Sequence, residues 1–81
     1  MSTVLTHVGF GHYLATGRIL AIAAGGSAPI KRSIQNARDK HLLIDLTNGR
    51  KTKAVVFTDC QYLVLVALEP STINGRLGND V

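Results

Sequence analysis

Arg50, Lys51 and Lys53 put three of the nine basic residues of this 81-residue chain within four positions. The chemistry open to fixed guanidinium and ammonium groups at such density is phosphate neutralisation, with release of the counterions a polyanion carries. A second basic cluster holds Lys31, Arg32, Arg38 and Lys40, and Arg18 stands apart. The acids Asp39, Asp45, Asp59, Glu69 and Asp80 are scattered singly. A net charge of +4 and a pI of about 9.7 agree with a nucleic-acid partner without requiring one. The plain alternatives are charges that guard an exposed strand edge at residues 50–53 and a solvated helix face at residues 31–40.

Other chemistry is weakly supported. His7, His12 and His41 share no ligand spacing, and there is no Cys-x-x-Cys or His-x-x-x-His, so no metal or cofactor is expected. Cys60, the single cysteine, cannot form an internal disulfide, which fits a cytoplasmic setting. No nucleophile motif accompanies it or any serine, and the chain does not read as an enzyme. Gly9-Phe10-Gly11 lacks the G-x-x-x-x-G-K-[ST] pattern of a phosphate loop and reads as a tight bend.

The elements that must position the cations are legible in outline. Two apolar runs within residues 42–58 flank Asn48-Gly49, the dipeptide best suited to a two-residue hairpin turn. In that hairpin Leu46 faces Lys51 and Ile44 faces Lys53 on one side. Arg50 lies on the other with Thr47, Asp45 and Thr52. Strands are also expected at residues 3–8, 12–16, 19–24 and 62–68, with a turn at Asp59-Cys60-Gln61. Ser27 or Ala28 caps a helix, with Pro29 at its first or second position, running to about His41. Ile30, Ile34, Ala37 and His41 form its buried stripe. Residues 71–77 suggest one more helical turn, and residues 78–81 a frayed tail.

This predicts one α+β domain over residues 1–77, antiparallel and β-rich, with one main helix. Mean hydropathy is +0.19 and 46% of residues are apolar, yet no run approaches the roughly 18 apolar residues that span a bilayer. No basic residue precedes Arg18, so a signal peptide is not expected. Residues 19–24, 54–57 and 62–68 are apolar on both strand faces, and one helix covers only one face of a sheet. A second subunit is the expected cover for the other face, hence a homo-oligomer.

Five segments together resemble the RemA-like proteins, bacterial extracellular matrix regulatory proteins: G-F-G at 9–11, S-A-P-I-K-R at 27–32, A-R-D-K at 37–40, L-I-D at 43–45 and G-R-K-T-K-A-V at 49–55. The resemblance runs from about residue 4 to 77. It implies a fold similar to LytTR-type DNA-binding domains and a ring of seven or eight subunits. The implied activity is transcriptional regulation of biofilm and extracellular-matrix genes through duplex DNA. It places DNA contacts at Arg18, Arg50 and Lys51, to which the local charge adds Lys53, Lys31 and Arg32. Lys51 stands where arginine is common, keeping charge but losing the planar fork. His12 replaces a usual asparagine, Ala24-Gly25-Gly26 a segment richer in proline and acid, His41 a glycine, and Leu46 an alanine. The rival functions are an RNA-binding regulator and a ring scaffold for protein partners. Against RNA, the four aromatics Phe10, Tyr13, Phe57 and Tyr62 are few, and those on strands are expected to be buried.

Overall fold

A computed structural model describes residues 4–76. The sequence-predicted tail at residues 78–81 lies outside the described residues. Two short strands, β1 (Leu5–His7) and β2 (Tyr13–Ala15), form an antiparallel hairpin around Gly9-Phe10-Gly11. A 3-10 turn at Thr16–Arg18 leads into β3 (Ile19–Ala24), and helix α1 (Ala28–Asp39) follows. Then come β4 (Leu43–Asp45), β5 (Ala54–Thr58), β6 (Leu63–Val66) and helix α2 (Pro70–Arg76). The class is α+β, as the pattern predicts. The main sheet is mixed, however, in the order β3-β5-β6-β4, with β4 parallel to β6 and the other pairs antiparallel.

That order overturns the expected hairpin at residues 42–58. The two runs are not paired with each other, because β6 lies between them: Ile44 pairs with Val64, and Val56 pairs with Val64 from the other side. The turn chemistry survives without the hairpin. Asn48 and Gly49 have φ of 57° and 81°, and the Arg50 amide donates to the Thr47 carbonyl at 3.0 Å, as in a type I′ turn. Burial decides against pairing β4 with β5. Val64 and Val66 have no exposed surface to spare, and a strand apolar on both faces is most stable in the middle of a sheet.

Helix α1 forms as its caps and spacing require. Ser27 takes the extended N-cap backbone and its carbonyl accepts from Lys31, although its hydroxyl makes no capping bond. The helix ends at Asp39, two residues before His41. His41 adopts φ +60°, its amide donates to Arg38, and the Leu42 amide donates to Ala37 at 2.8 Å. This is a Schellman exit with histidine in the left-handed position that glycine usually fills. His41 therefore ends the helix and is exposed, outside the stripe it was expected to join.

The sheet has two buried faces. On one, Val55, Leu63 and Leu65 pack with Ala37, Ile30 and Ile34 of α1. On the other, Ala54, Val56, Val64 and Val66 pack with Val8 beside the β1–β2 hairpin and Ile73 of α2. The expectation that a second subunit must cover this face is thus corrected. Short elements at both ends of the chain fold back and cover it, with Ile73 fully buried. What stays open are the two sheet edges, β3 and β4, of which β3 is the longer. The β3 edge carries a bulge between Ile19 and Ala21, with Leu20 70% exposed there.

Ile73→Ala should lower unfolding stability by about 2–5 kcal/mol, because it removes the one fully buried side chain of α2. His41→Gly should raise it by roughly 0.5–1 kcal/mol, since relief of the left-handed strain exceeds the entropy cost of glycine. Urea titrations of the two variants measure both.

Candidate nucleic-acid interface

Residues 46–53 form an arch across the C-terminal end of β6. Its feet are tied to that strand: the Leu46 amide donates to Leu65 at 2.9 Å and the Lys53 amide to Val66 at 3.0 Å. The arch is stiffened from within by Asp45. Its carboxylate accepts from the Thr47 amide at 2.9 Å and the Thr47 hydroxyl at 2.6 Å, and Thr47 is buried. These two bonds, with a smaller pull from Arg38, hold the Asp45 pKa below the usual carboxylate range.

The arch sends its cations to two sides. Arg50 turns toward the β1–β2 hairpin, where its guanidinium lies 5.6 Å from the centre of the Phe10 ring. Lys51 and Lys53 turn toward α1 and line an open groove of about 610 Å³ with Lys31 and Arg38. The expected split of Arg50 from Lys51 is therefore present, although an arch produces it and not a ribbon. Ile34 and Leu65 are the apolar lining, and Gly25 and Gly26 form one lip. Gly25 lets the lip lie close to the arch: a Cβ there would stand 3.3 Å from the Thr52 methyl and 3.4 Å from its carbonyl oxygen, a tight fit.

Among the described residues, Lys31, Arg38 and Lys51 make no side-chain hydrogen bond or ion pair. Lys53 approaches Glu69 at 4.0 Å, both well exposed. Arg38 was not singled out from the sequence as a contact residue. Its signal was the helical spacing Lys31, Ile34, Arg38, which puts all three on one stripe. Arg32, adjacent in sequence, is exposed on α1 and is not part of the groove lining.

Arg18 is not brought to this site. It precedes the Ile19–Thr58 pair, whereas the arch joins the sheet beside the Ala24–Ala54 pair. Five residues of strand separate the two ends by about 17 Å. At its own end Arg18 donates from Nε to Asp59 at 2.7 Å, and the Asp59 amide donates back to the Arg18 carbonyl at 3.0 Å. That hydrogen bond raises the Arg18 pKa above its ordinary value. The neighbouring Cys60 thiol is exposed and shifted down, first by the Thr58 hydroxyl 3.3 Å away.

The histidines serve separate places. The His7 and Tyr13 rings meet tilted at 43° with centroids 5.1 Å apart, while Arg76 Nη1 donates to the His7 carbonyl at 3.0 Å and tethers α2 to β1. Among the described residues, no three His, Cys, Asp or Glu side chains gather as a metal site would need. No helix among them is long and apolar enough to cross a membrane.

The arch should respond to acid through Asp45. Its pKa is lower folded than unfolded, so its contribution is complete above roughly pH 4 and fades as pH falls through the lower folded value. Asp45→Asn should lower the urea midpoint at neutral pH, and the gap from the parent should close toward about pH 2. A gap of constant size across that range would contradict a role for the carboxylate charge.

A family model described as extracellular matrix regulatory protein A-like (RemA-like) matches residues 5–77. A protein of Dehalococcoides mccartyi strain BAV1 is 62% identical over 73 residues, which is 90% of this chain and 76% of that protein. A Halothermothrix orenii protein is 45% identical over 80 residues, covering 99% of this chain and 95% of its own. One from Clostridium novyi is 47% identical over 79 residues, covering 98% and 88%. All three are provisionally named regulatory proteins. With its fold, its arch and almost its whole length accounted for, the chain belongs to the RemA-like family of regulatory proteins.

Proposed function

We propose that this chain is a DNA-binding transcriptional regulator of the bacterial cytoplasm, with no catalytic activity of its own. It meets duplex DNA as a closed ring of identical copies and controls extracellular-matrix genes. The observation that carries the reading is the arch end of the sheet, where Lys31, Arg38 and Lys51 converge from a helix and a connection, none of them held in a side-chain hydrogen bond or ion pair among the described residues. Cations not locked in ion pairs are available to replace the counterions of a phosphate backbone, and each phosphate neutralised adds about 0.9 to the salt slope of binding. Lys51 suits this work as a point charge. Arg50, on the other side of the arch, extends the same basic end.

Arg18 joins through distance. B-DNA carries a charge every ~1.7 Å of axis, so cations about 17 Å apart meet different phosphates of one duplex. The Asp59 bond holds Arg18 extended at the surface while leaving it 60% exposed for such a contact.

Assembly rests on a different surface from the one the sequence suggests. The β3 edge is free, exposes Leu20, and borders a hollow of about 440 Å³ lined by Ile19, Leu20, Ala21, Ile22, Pro70, Ser71 and Asn74. None of its own residues 19–24 is charged, and uncharged edge strands invite pairing. A head-to-tail contact there, repeated about an axis, closes a ring and multiplies weak single contacts.

One observation favours the RNA reading in second place: Phe10, Tyr13 and Tyr62 are exposed, although the strand aromatics were expected to be buried. They do not make one platform. Tyr13 packs tilted against His7, and Tyr62 lies at the sheet end opposite Arg50.

Arg50→Ala and Lys51→Ala should each weaken duplex binding and reduce the log–log salt slope by about 1, with assembly mass unchanged. Solution mass with and without duplex across a salt series tests the whole reading, and single-stranded RNA as competitor tests the rival. A monomer whose binding ignores salt would contradict the proposal.

A further inference from the structure

Resting on the DNA reading above, we infer that Phe10 is a wedge that inserts at a base step of duplex DNA while Arg50 holds the adjoining phosphate. Gly9, Phe10 and Gly11 have φ of 101°, 55° and 78°, three consecutive left-handed residues. Glycine takes that conformation freely, whereas phenylalanine takes it only with strain. The other left-handed non-glycine residues sit in turns that suit them or end an element: Asn48 in the type I′ turn, His41 at the helix exit, and Gln61 in the β5–β6 turn. Phe10 could be replaced by asparagine or glycine with no loss to its bend.

The bend is also rigid. The Val8 amide donates to His12 at 2.9 Å and the His12 amide to Gly9 at 3.0 Å. A Cβ at Gly9 would meet the Leu68 side chain at 3.6 Å, and fully buried Val8 lies beside it. From this anchored base the Phe10 ring stands 45% exposed and outside both core clusters. Apart from its exposed contact with Arg50, the ring brings no packing to the core to offset the backbone strain. Strain that packing does not repay clusters at functional sites.

The cation beside the ring points to the ligand. Arg50 lies 5.6 Å from the ring centre, so a cation and an apolar face are presented side by side. A phosphate backbone with bases behind it offers the complementary pair of surfaces. Apolar wedges of this kind part base steps and kink the duplex, and flexible pyrimidine–purine steps yield most readily.

The test uses a duplex with 2-aminopurine at a central pyrimidine–purine step and the full chain bearing Phe10→Asn. Asparagine accepts the left-handed backbone at little cost. The wild type should raise the fluorescence on binding, which reports unstacking. The variant should lose that rise and bind about 5- to 150-fold more weakly, the range for loss of one aromatic–base stack. Its salt slope and assembly mass should be unchanged, and its thermal stability equal or higher. Wild-type binding without a fluorescence rise, or full binding and fluorescence by the variant, overturns the wedge and leaves the DNA reading standing. A variant with lower stability or altered mass overturns it in favour of a packing or subunit contact. A wild type that binds no duplex overturns both.

Discussion

Insertion of β6 between β4 and β5 is the constraint on which the rest of the molecule depends. It buries Val64 and Val66 against one layer and Leu63 and Leu65 against the other, so the sheet acquires a centre with two dry faces. It also forces residues 46–53 to arch over the strand's end, since β4 and β5 no longer touch. The arch cannot sag, because its feet bond to Leu65 and Val66 and its crown is held by Asp45 and Thr47. The placement of every cation in it follows from that crossing.

Two consequences are electrostatic. Crossing the sheet end puts Arg50 on the layer of the β1–β2 hairpin and Lys51 on the layer of α1, so one short connection serves both sides. Among the described residues the groove beside α1 is lined by four cations and one carboxylate, Glu69, at about the limit of an ion pair with Lys53. Such a gathering is repulsive in the free protein and is relieved by an anion, which favours a polyanion over a neutral partner. Arg18 at the far end is instead braced by Asp59, so orientation there comes from a carboxylate and at the arch from backbone turns.

Closure of both sheet faces within one chain changes the basis for self-association. A large apolar face would demand a permanent partner for stability. A free edge with one protruding leucine demands less, and in the proposed ring it would separate the folding of a copy from the joining of copies. The bulge at Leu20 breaks the regular edge, which limits pairing to a partner shaped for it.

Much of the fold was legible in residues 1–81. Proline after Ser27, the apolar stripe at Ile30 and Ile34, and the doubly apolar run of β6 specify α1 and a central strand by local propensity and periodicity. Asn48-Gly49 likewise determined its own turn, and the opposite aims of Arg50 and Lys51 could be read beside it. Partnership was not legible. A type I′ turn is satisfied by four residues, whereas strand pairing is decided by which arrangement buries the most apolar surface over the whole chain. For the same reason Ile73, Val8 and Leu14 gave little local sign that they would close the second face. Only the tertiary structure brought Phe10 to Arg50 across 40 residues of chain and set Arg38 beside Lys51. Such juxtapositions arise from packing between distant segments, which no local spacing encodes.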